Sequence, residues 1–432
     1  MRARIPNKIT TSTGIALVIA NMIGTGAFTS LGFQLSELQN PNTIIILWIL
    51  GGILALCGAF SYAELGSHIS KSGGEYIFLS EIFHPFLGYL SGWISITVGF
   101  AAPIALSAIA VIEYFPYFNF SLKWSSIFLV ALITLIHSVN LNTSAKFQNI
   151  STVLKVVLIL ILIIIGFILP AKADAIINNG KYSSEIFSSA FVISLIYVSY
   201  SYSGWNAAVY IIDEFKHPKK SVPKALIIGT LTVTIIYTLL QFIFLKMTTL
   251  NQLAGQLNIG HIVSNNMFGT GAADVFSLVI SLLLISGISA MVWVGSRVTS
   301  SMAKDYPLWH YFDNKKGTVP KKALWLQFII TALILITGTF EQVLIYCGFL
   351  LTLSSMLTVI GVFKLRSKTT QLYGSAFKSP LYPIPQIVFL IFSTTMVLFS
   401  IHQYPYESAL GITNIVIGMG SWFLNKRIII KQ

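Results

Sequence analysis

Twelve long apolar stretches, parted by short polar connections, constrain this chain more than any other feature. They run roughly over 13–35, 42–65, 84–115, 124–141, 147–169, 187–212, 223–247, 272–303, 321–339, 341–365, 383–401 and 406–425, hereafter segments one to twelve. Most are long enough to cross a hydrocarbon core of about 30 Å. Segments three and eight exceed that length, which predicts tilt. Segments nine and ten are parted only by Gly338-Thr339-Phe340. Of the 432 residues, 55% are hydrophobic and 9% charged, whereas a soluble protein carries about 25% charged residues. With no water in lipid to satisfy the backbone, such segments fold as helices. The expectation is an all-α membrane protein of 12 transmembrane helices, with residues 1–432 as a single transmembrane domain. The first apolar run lacks a small-residue cleavage site, so it reads as a retained helix.

The formal net charge is +13, and its placement decides its meaning. With the N-terminus inside, the inner connections carry 22 Lys and Arg, among them Arg2, Arg4, Lys8, Lys216, Lys219, Lys220, Lys315, Lys316 and Arg366. The outer loops carry 4: Lys123, Lys172, Lys181 and Lys246. Such asymmetry orients a polytopic chain with both termini cytoplasmic and its surface in the bilayer of the cell (inner or plasma) membrane. Nucleic acid would demand the charge on one exposed face with interleaved aromatics, so no nucleic-acid partner is expected. Cys57 and Cys347 both fall within apolar segments, and no His/Cys spacing suits a metal. No phosphate loop, nucleophile elbow or dinucleotide fingerprint is present. An enzyme is not expected, nor any cofactor.

Two segments are interrupted. Segment one contains Ala20-Asn21-Met22-Ile23-Gly24-Thr25-Gly26-Ala27-Phe28, and segment six contains Ser199-Tyr200-Ser201-Tyr202-Ser203-Gly204-Trp205-Asn206. Broken backbone at membrane depth is tolerated mainly where it lines a cavity. Two breaks five helices apart, at matching places in two halves, are the mark of a transporter built from inverted repeats. An odd number of helices per repeat forces opposite orientations. Repeat one would cover about 13–169, repeat two about 187–365, and the helices in 383–425 would be accessory. The bland alternatives are a small-residue helix contact at segment one and ordinary hydroxyl back-bonding at segment six.

The breaks suggest a ligand class. Freed N–H groups of Ile23, Gly24, Thr25 and Gly26 would form a partly positive nest at a half-helix N-terminus, suited to a carboxylate. Thr25 adds a hydroxyl. Unwound carbonyls of Tyr200, Ser201 and Ser203 would suit an ammonium. A nest facing a carbonyl cluster is a receptor for a zwitterion, which points to α-amino acids, with other zwitterions and amines left open. Tyr200 is placed to cap such a substrate, and Asn206 can donate and accept within the pocket.

Lys155 is the one basic residue deep within a segment. A lysine at a helix centre costs roughly 2.5–3.5 kcal/mol on insertion scales. Counted from Phe147 it lies about 12 Å in at about 1.5 Å per residue. It could cross-link segment one to segment eight, where Ser286, Ser289 and Ser296 offer oxygens, or it could snorkel to the inner surface. The end charges Glu64, Glu75, Asp213, Glu214 and Arg297 read as inner-gate or anchoring groups, and Glu113 as interfacial.

These residues resemble a known family. Ile23-Gly24-Thr25-Gly26-Ala27-Phe28 is similar to the glycine-rich helix-one motif of the amino acid–polyamine–organocation (APC) superfamily. Ser61-Tyr62-Ala63-Glu64-Leu65-Gly66 and Lys71-Ser72-Gly73-Gly74-Glu75-Tyr76 resemble its second helix and loop. Ser203-Gly204-Trp205-Asn206, followed by Asp213-Glu214-Phe215-Lys216-His217-Pro218 through Ala225, resembles the L-type amino acid transporter (LAT) branch and its prokaryotic relatives. Ser296-Arg297 and Tyr382-Pro383 also fit. The resemblance implies a LeuT-like 5+5 inverted repeat with broken helices 1 and 6 plus two accessory helices. It implies carboxylate binding at Ile23 to Gly26 and amine binding at Tyr200, Ser201 and Ser203, with Tyr200 as gate. By its Thr-x-x-Lys context, Lys155 matches the lysine that stands in the sodium position of sodium-independent members, and Asn206 matches a pocket asparagine. Ser289 is carried as its coupling partner on segment eight, whose pattern departs from the family's.

Animal LAT members join a heavy subunit through a cysteine after helix three. The loop from Pro116 to Lys123 has none, so no disulfide-linked heavy subunit is expected. No acidic residue matches that of proton-coupled polyamine or arginine antiporters. The expected function is sodium-independent secondary transport of amino acids with neutral side chains, by alternating access, as exchanger or proton-coupled symporter. A polyamine or cationic amino acid permease, a non-transporting amino acid sensor and a channel or scaffold are the alternatives.

Overall fold

The computed structural model describes residues 9–115, 121–139, 142–171, 182–314, 319–368 and 376–431. Arg2, Arg4, Lys8, Lys172, Lys181, Lys315, Lys316 and most of the loop from Pro116 to Lys123 lie outside them. The described residues are helical, with one isolated β-bridge, Ile9 to Phe215. All twelve apolar segments fall on helix. Eight helices are long and apolar enough to cross a membrane, and Thr152–Ile168 and Ser189–Ser201 are shorter apolar helices. Segments nine and twelve lie on helices Lys321–Thr337 and Pro405–Lys431.

The interruptions in the sequence are interruptions in the fold. Segment one is two helices, Thr11–Met22 and Gly26–Glu37. Segment six is helix Ser189–Ser201, a turn over 202–206, and a tight 3-10 stretch Ala207–Glu214. Segment three is also irregular: helix Pro85–Ile94 passes through a π-helical turn Ser95–Gly99 into Ala101–Glu113. Such π-turns often mark functional sites, because the widened turn leaves a local gap in the helix wall.

The two broken segments sit inside the molecule. Helix Thr11–Met22 packs along helix Pro218–Met247, and Gly26–Glu37 along Ser189–Ser201. Apolar residues of helices such as Asn142–Ile168 and Ile384–Gln403 face outward, Ile164, Phe167 and Ile391 among them. Outward apolar faces around a polar interior are what a lipid solvent demands. At the lysine-rich end, Ile9 N–H donates to the Glu214 carbonyl at 2.7 Å, and Lys216 N–H donates to Ile9 at 3.0 Å. The stretch before segment one is thereby paired with the end of segment six.

Glu64 and Asp213 hold this end together. The buried Glu64 carboxylate takes Arg366 in a fork, with Nε to Oε1 at 2.7 Å and Nη2 to Oε2 at 2.8 Å, and accepts Ser379 N–H at 2.8 Å. Ser72 and Asp213 exchange two hydrogen bonds, 3.2 and 2.9 Å.

Candidate functional site

The break in segment one begins where Ile23 leaves the helical region, at φ −75° and ψ 88°. Losing helical geometry there strands carbonyl oxygens at depth, and each stranded oxygen needs a donor. Segments three, five and seven supply them. The Tyr237 phenol donates to Met22 at 2.5 Å, Lys155 Nζ to Ile23 at 3.3 Å, Gln241 to Ala27 at 2.9 Å and Tyr114 to Phe28 at 3.0 Å. Four polar side chains from three segments thus converge on seven residues of backbone, 22–28.

The N–H groups divide. Ile23 N–H is used within its own half-helix, donating to Ile19 at 3.0 Å. Gly24 N–H faces the Tyr237 phenol. The N–H groups of Thr25 and Gly26 take no backbone acceptor among the described residues. They open helix Gly26–Glu37 and point where its dipole favours negative charge. Of the four N–H groups singled out from sequence, those of Thr25 and Gly26 are left without a backbone acceptor among the described residues.

Segment six breaks around Gly204, at φ +96°. A Cβ there would sit 2.7 Å from the Asn21 carbonyl oxygen, so both the left-handed conformation and the close approach require glycine. Gly26 makes the reciprocal contact: its Cβ would lie 2.5 Å from Ser201 Cα. The two breaks therefore interlock, each presenting a glycine to the other's backbone. Ser201 Oγ donates to the Tyr197 carbonyl at 2.9 Å and shares a 2.8 Å hydrogen bond with Ser30. The Tyr200 carbonyl accepts Ser203 N–H at 2.9 Å, whereas those of Ser201 and Ser203 take no backbone donor among the described residues. The Tyr200 phenol, buried, faces the Thr25 side chain.

A cavity of about 540 Å³ lies beside this joint, within the range usual for small-molecule sites. Asn21, Ser203, Asn206 and Glu75 line it, and it extends to Ile9, Ser72, Glu214 and Arg297 at the lysine-rich end. Arg297 rests its guanidinium 3.7 Å from the centre of the Trp293 ring. Toward the opposite end, Phe33 stacks on Phe340 with centroids 5.8 Å apart. Beside them Tyr197 donates to Glu341 at 2.5 Å and meets the Tyr404 hydroxyl at 3.1 Å. The cavity thus reaches residues of the lysine-rich end, and the aromatic cluster of Phe33, Phe340, Tyr197 and Tyr404 lies outside its lining.

The residues singled out from sequence fall into three places. Ser203 and Asn206 line the large cavity. Ile23, Gly24 and Lys155 line a second, very small void of about 10 Å³. Thr25, Gly26, Tyr200 and Ser201 form the buried joint between them. Ser289 stands apart. Its hydroxyl shares a 2.8 Å hydrogen bond with His137 Nε2 of segment four, while Lys155 meets segment eight at Gly287, where an added Cβ would lie 3.5 Å from Nζ. Ser286 Oγ is buried with no hydrogen-bond partner among the described residues, and Ser296 Oγ donates to the Trp293 carbonyl at 2.9 Å. Among the described residues no group of three His, Cys, Asp or Glu is placed to hold a metal.

Glu75 is the residue that sequence reasoning under-read. It lies outside the apolar segments and looks like an end charge. Yet Gly73 and Gly74, at φ +131° and +62°, turn the chain back into the protein, and Glu75 is 4% exposed. Its Oε1 accepts from Tyr62 at 2.5 Å, Asn206 Nδ2 at 3.2 Å and Ser355 at 3.3 Å, and its Oε2 accepts from Ser354. The paired glycines just before an acidic residue were the available signal.

A family model described as amino acid permease matches residues 9–420. The mouse (Mus musculus) large neutral amino acids transporter small subunit 2 is 25% identical over 422 residues, covering 94% of this chain and 79% of its own length. The mouse b(0,+)-type amino acid transporter 1 is 27% identical over 427 residues, covering 95% and 86%. The human (Homo sapiens) cystine/glutamate transporter is 24% identical over 434 residues, covering 98% and 86%.

Proposed function

The chain belongs to the amino acid permease family of the APC superfamily, and on that premise we propose that it is a sodium-independent secondary transporter of neutral amino acids. The interlocked breaks beside a cavity that reaches the lysine-rich end carry the reading. The substrate carboxylate is held at the N–H groups of Thr25 and Gly26, and its ammonium at the carbonyls of Ser201 and Ser203. Tyr200 and Thr25 form the partition above it. The side chain extends into the cavity toward Asn206.

Residues 13–169 and 187–365 act as two inverted repeats, with broken segments one and six at corresponding places, and 383–425 is accessory. Alternating access follows from moving one set of helices against the other around the fixed joint. The present state is open toward the lysine-rich end, which the distribution of Lys and Arg assigns to the cytoplasm of a cell-membrane protein. The Phe33–Phe340 stack is the closed outer side.

Lys155 supports sodium independence. Its ammonium occupies the Ile23 carbonyl, a place where a bound metal cation would otherwise find an oxygen ligand. Both cysteines are buried, which supports function without a disulfide-linked second subunit. Uptake of labelled neutral amino acids into sodium-free proteoliposomes, with and without internal amino acid and with and without a pH gradient, is the test. Uptake that depends on internal substrate means exchange, and uptake that depends on the gradient means proton symport. Absence of movement for every neutral amino acid in both arrangements defeats the proposal.

A further inference from the structure

Among the described residues, Glu75 forms no ion pair. The ion pairs among the described residues are Lys71–Glu81 and Arg366–Glu64, and Glu75 belongs to neither. Its partners come from three parts of the chain: Tyr62 of segment two, Ser354 and Ser355 of segment ten, and Asn206 at the segment-six break. All four donate. Hydroxyls can rotate to suit a neighbour, but an amide has distinct ends and an ionised carboxylate only accepts. With Glu75 ionised, Asn206 presents Nδ2 to it, and the amide carbonyl oxygen is the end that remains for other contacts. Asn206 lines the large cavity, as does Tyr210, whose phenol faces the same amide.

We propose that Glu75 is a positioning residue that fixes the direction of the Asn206 amide, so that the cavity offers the substrate side chain a hydrogen-bond acceptor. The site then selects neutral amino acids whose side chain donates, those bearing a hydroxyl above all. This rests on the transport reading given above, with Asn206 in the substrate pocket. Selectivity of this kind is strong because an apolar isostere leaves the buried acceptor unpaired. Glutamine in place of Glu75 can donate as well as accept, so the amide is free to turn.

The test uses full-length protein in sodium-free proteoliposomes and compares initial uptake of threonine with its isostere valine, and of serine with alanine. In the wild type, kcat/KM for threonine exceeds that for valine by roughly fivefold or more, as one well-made hydrogen bond implies. Glu75→Gln collapses that ratio through a rise in the threonine KM with kcat retained. Glu75→Asp, which keeps an acceptor-only group, restores a threonine preference. Equal handling of threonine and valine by the wild type overturns the proposal, and that arm needs no variant to fold. A Glu75→Gln protein that loses uptake of all four amino acids in proportion also overturns it, because the residue is then only structural. If the wild type carries no amino acid at all, the transport reading itself has failed.

Discussion

The ammonium of Lys155 donates to the carbonyl of Ile23 at 3.3 Å, joining a helix of the outer wall to the break in segment one. The same nitrogen lies against Gly287 of segment eight. One buried cation therefore ties its own segment to two others at the place where the first helix is discontinuous.

Removing that cation strands the Ile23 oxygen. Lys155→Ala is expected to lower uptake tenfold to a hundredfold, the range that follows from losing a hydrogen bond to a charged group, about 1.5–3 kcal/mol. Substrate binding to solubilised protein should fall less than uptake. Uptake at the wild-type rate across a pH series would remove Lys155 from the mechanism.

The two glycines of the first break should behave differently. A Cβ on Gly24 meets nothing closer than the Met22 oxygen at 4.0 Å, whereas one on Gly26 falls 2.5 Å from Ser201 Cα. Gly26→Ala is expected to lower the melting temperature of the solubilised protein, since overpacking a tight contact costs about 1–3 kcal/mol. Gly24→Ala should leave the melting temperature nearly unchanged and alter transport alone. Equal melting behaviour of the two variants would mean that the joint is looser than its geometry.

Gly204→Ala combines a left-handed backbone with a clash at Asn21. Strain of this kind costs on the order of 1–3 kcal/mol. Differential scanning of folded protein should show a lower transition. A variant as stable as the wild type would show that the two breaks are not pressed together.

Arg366→Ala leaves Glu64, fully buried, without its cation and with only the Ser379 N–H named above. Breaking a buried pair from one side costs about 3–5 kcal/mol. Poor yield and a lowered melting temperature are expected, with the double variant Arg366→Leu, Glu64→Leu recovering part of the stability. A single variant as stable as the wild type would show that solvent reaches Glu64.

Access to the cavity can be read with thiol chemistry, because Cys57 and Cys347 are both buried. Asn206→Cys, which places a thiol at the cavity wall, should be modified by a membrane-impermeant maleimide from the lysine-rich side. Ser30→Cys, in the closed joint beneath Phe33, should resist from both sides. Labelling of Ser30→Cys from the opposite side at the same rate would mean the aromatic plug is open.

Much of this site was legible because lipid leaves few options. Glycine, serine and threonine inside an apolar run announced both breaks, and a lone lysine among leucines announced a polar neighbour. What could not be read was pairing across distance. Ser289 sits on the same segment that Lys155 touches, yet its partner is His137, since rotation of the long helix Thr270–Asp305 decides which face meets which segment. Tyr237 and Gln241 gave no signal, because a single phenol or amide on an apolar helix does not reveal which carbonyl it serves. Glu75 was hidden by a reversal of the chain: two glycines with positive φ carry into the core a residue that hydropathy assigns to a surface loop.

The bridge between Ile9 and Phe215 gives the segment before the first helix a mechanical part. It clasps the stretch before segment one to the end of segment six at the lysine-rich end, so neither can shift there without dragging the other or unfastening two hydrogen bonds. A fusion or shortening at the N-terminus is therefore not a neutral alteration of a tail. It removes a tie between segments one and six, and under the transport reading proposed above its cost should appear in the rate of uptake before it appears in affinity.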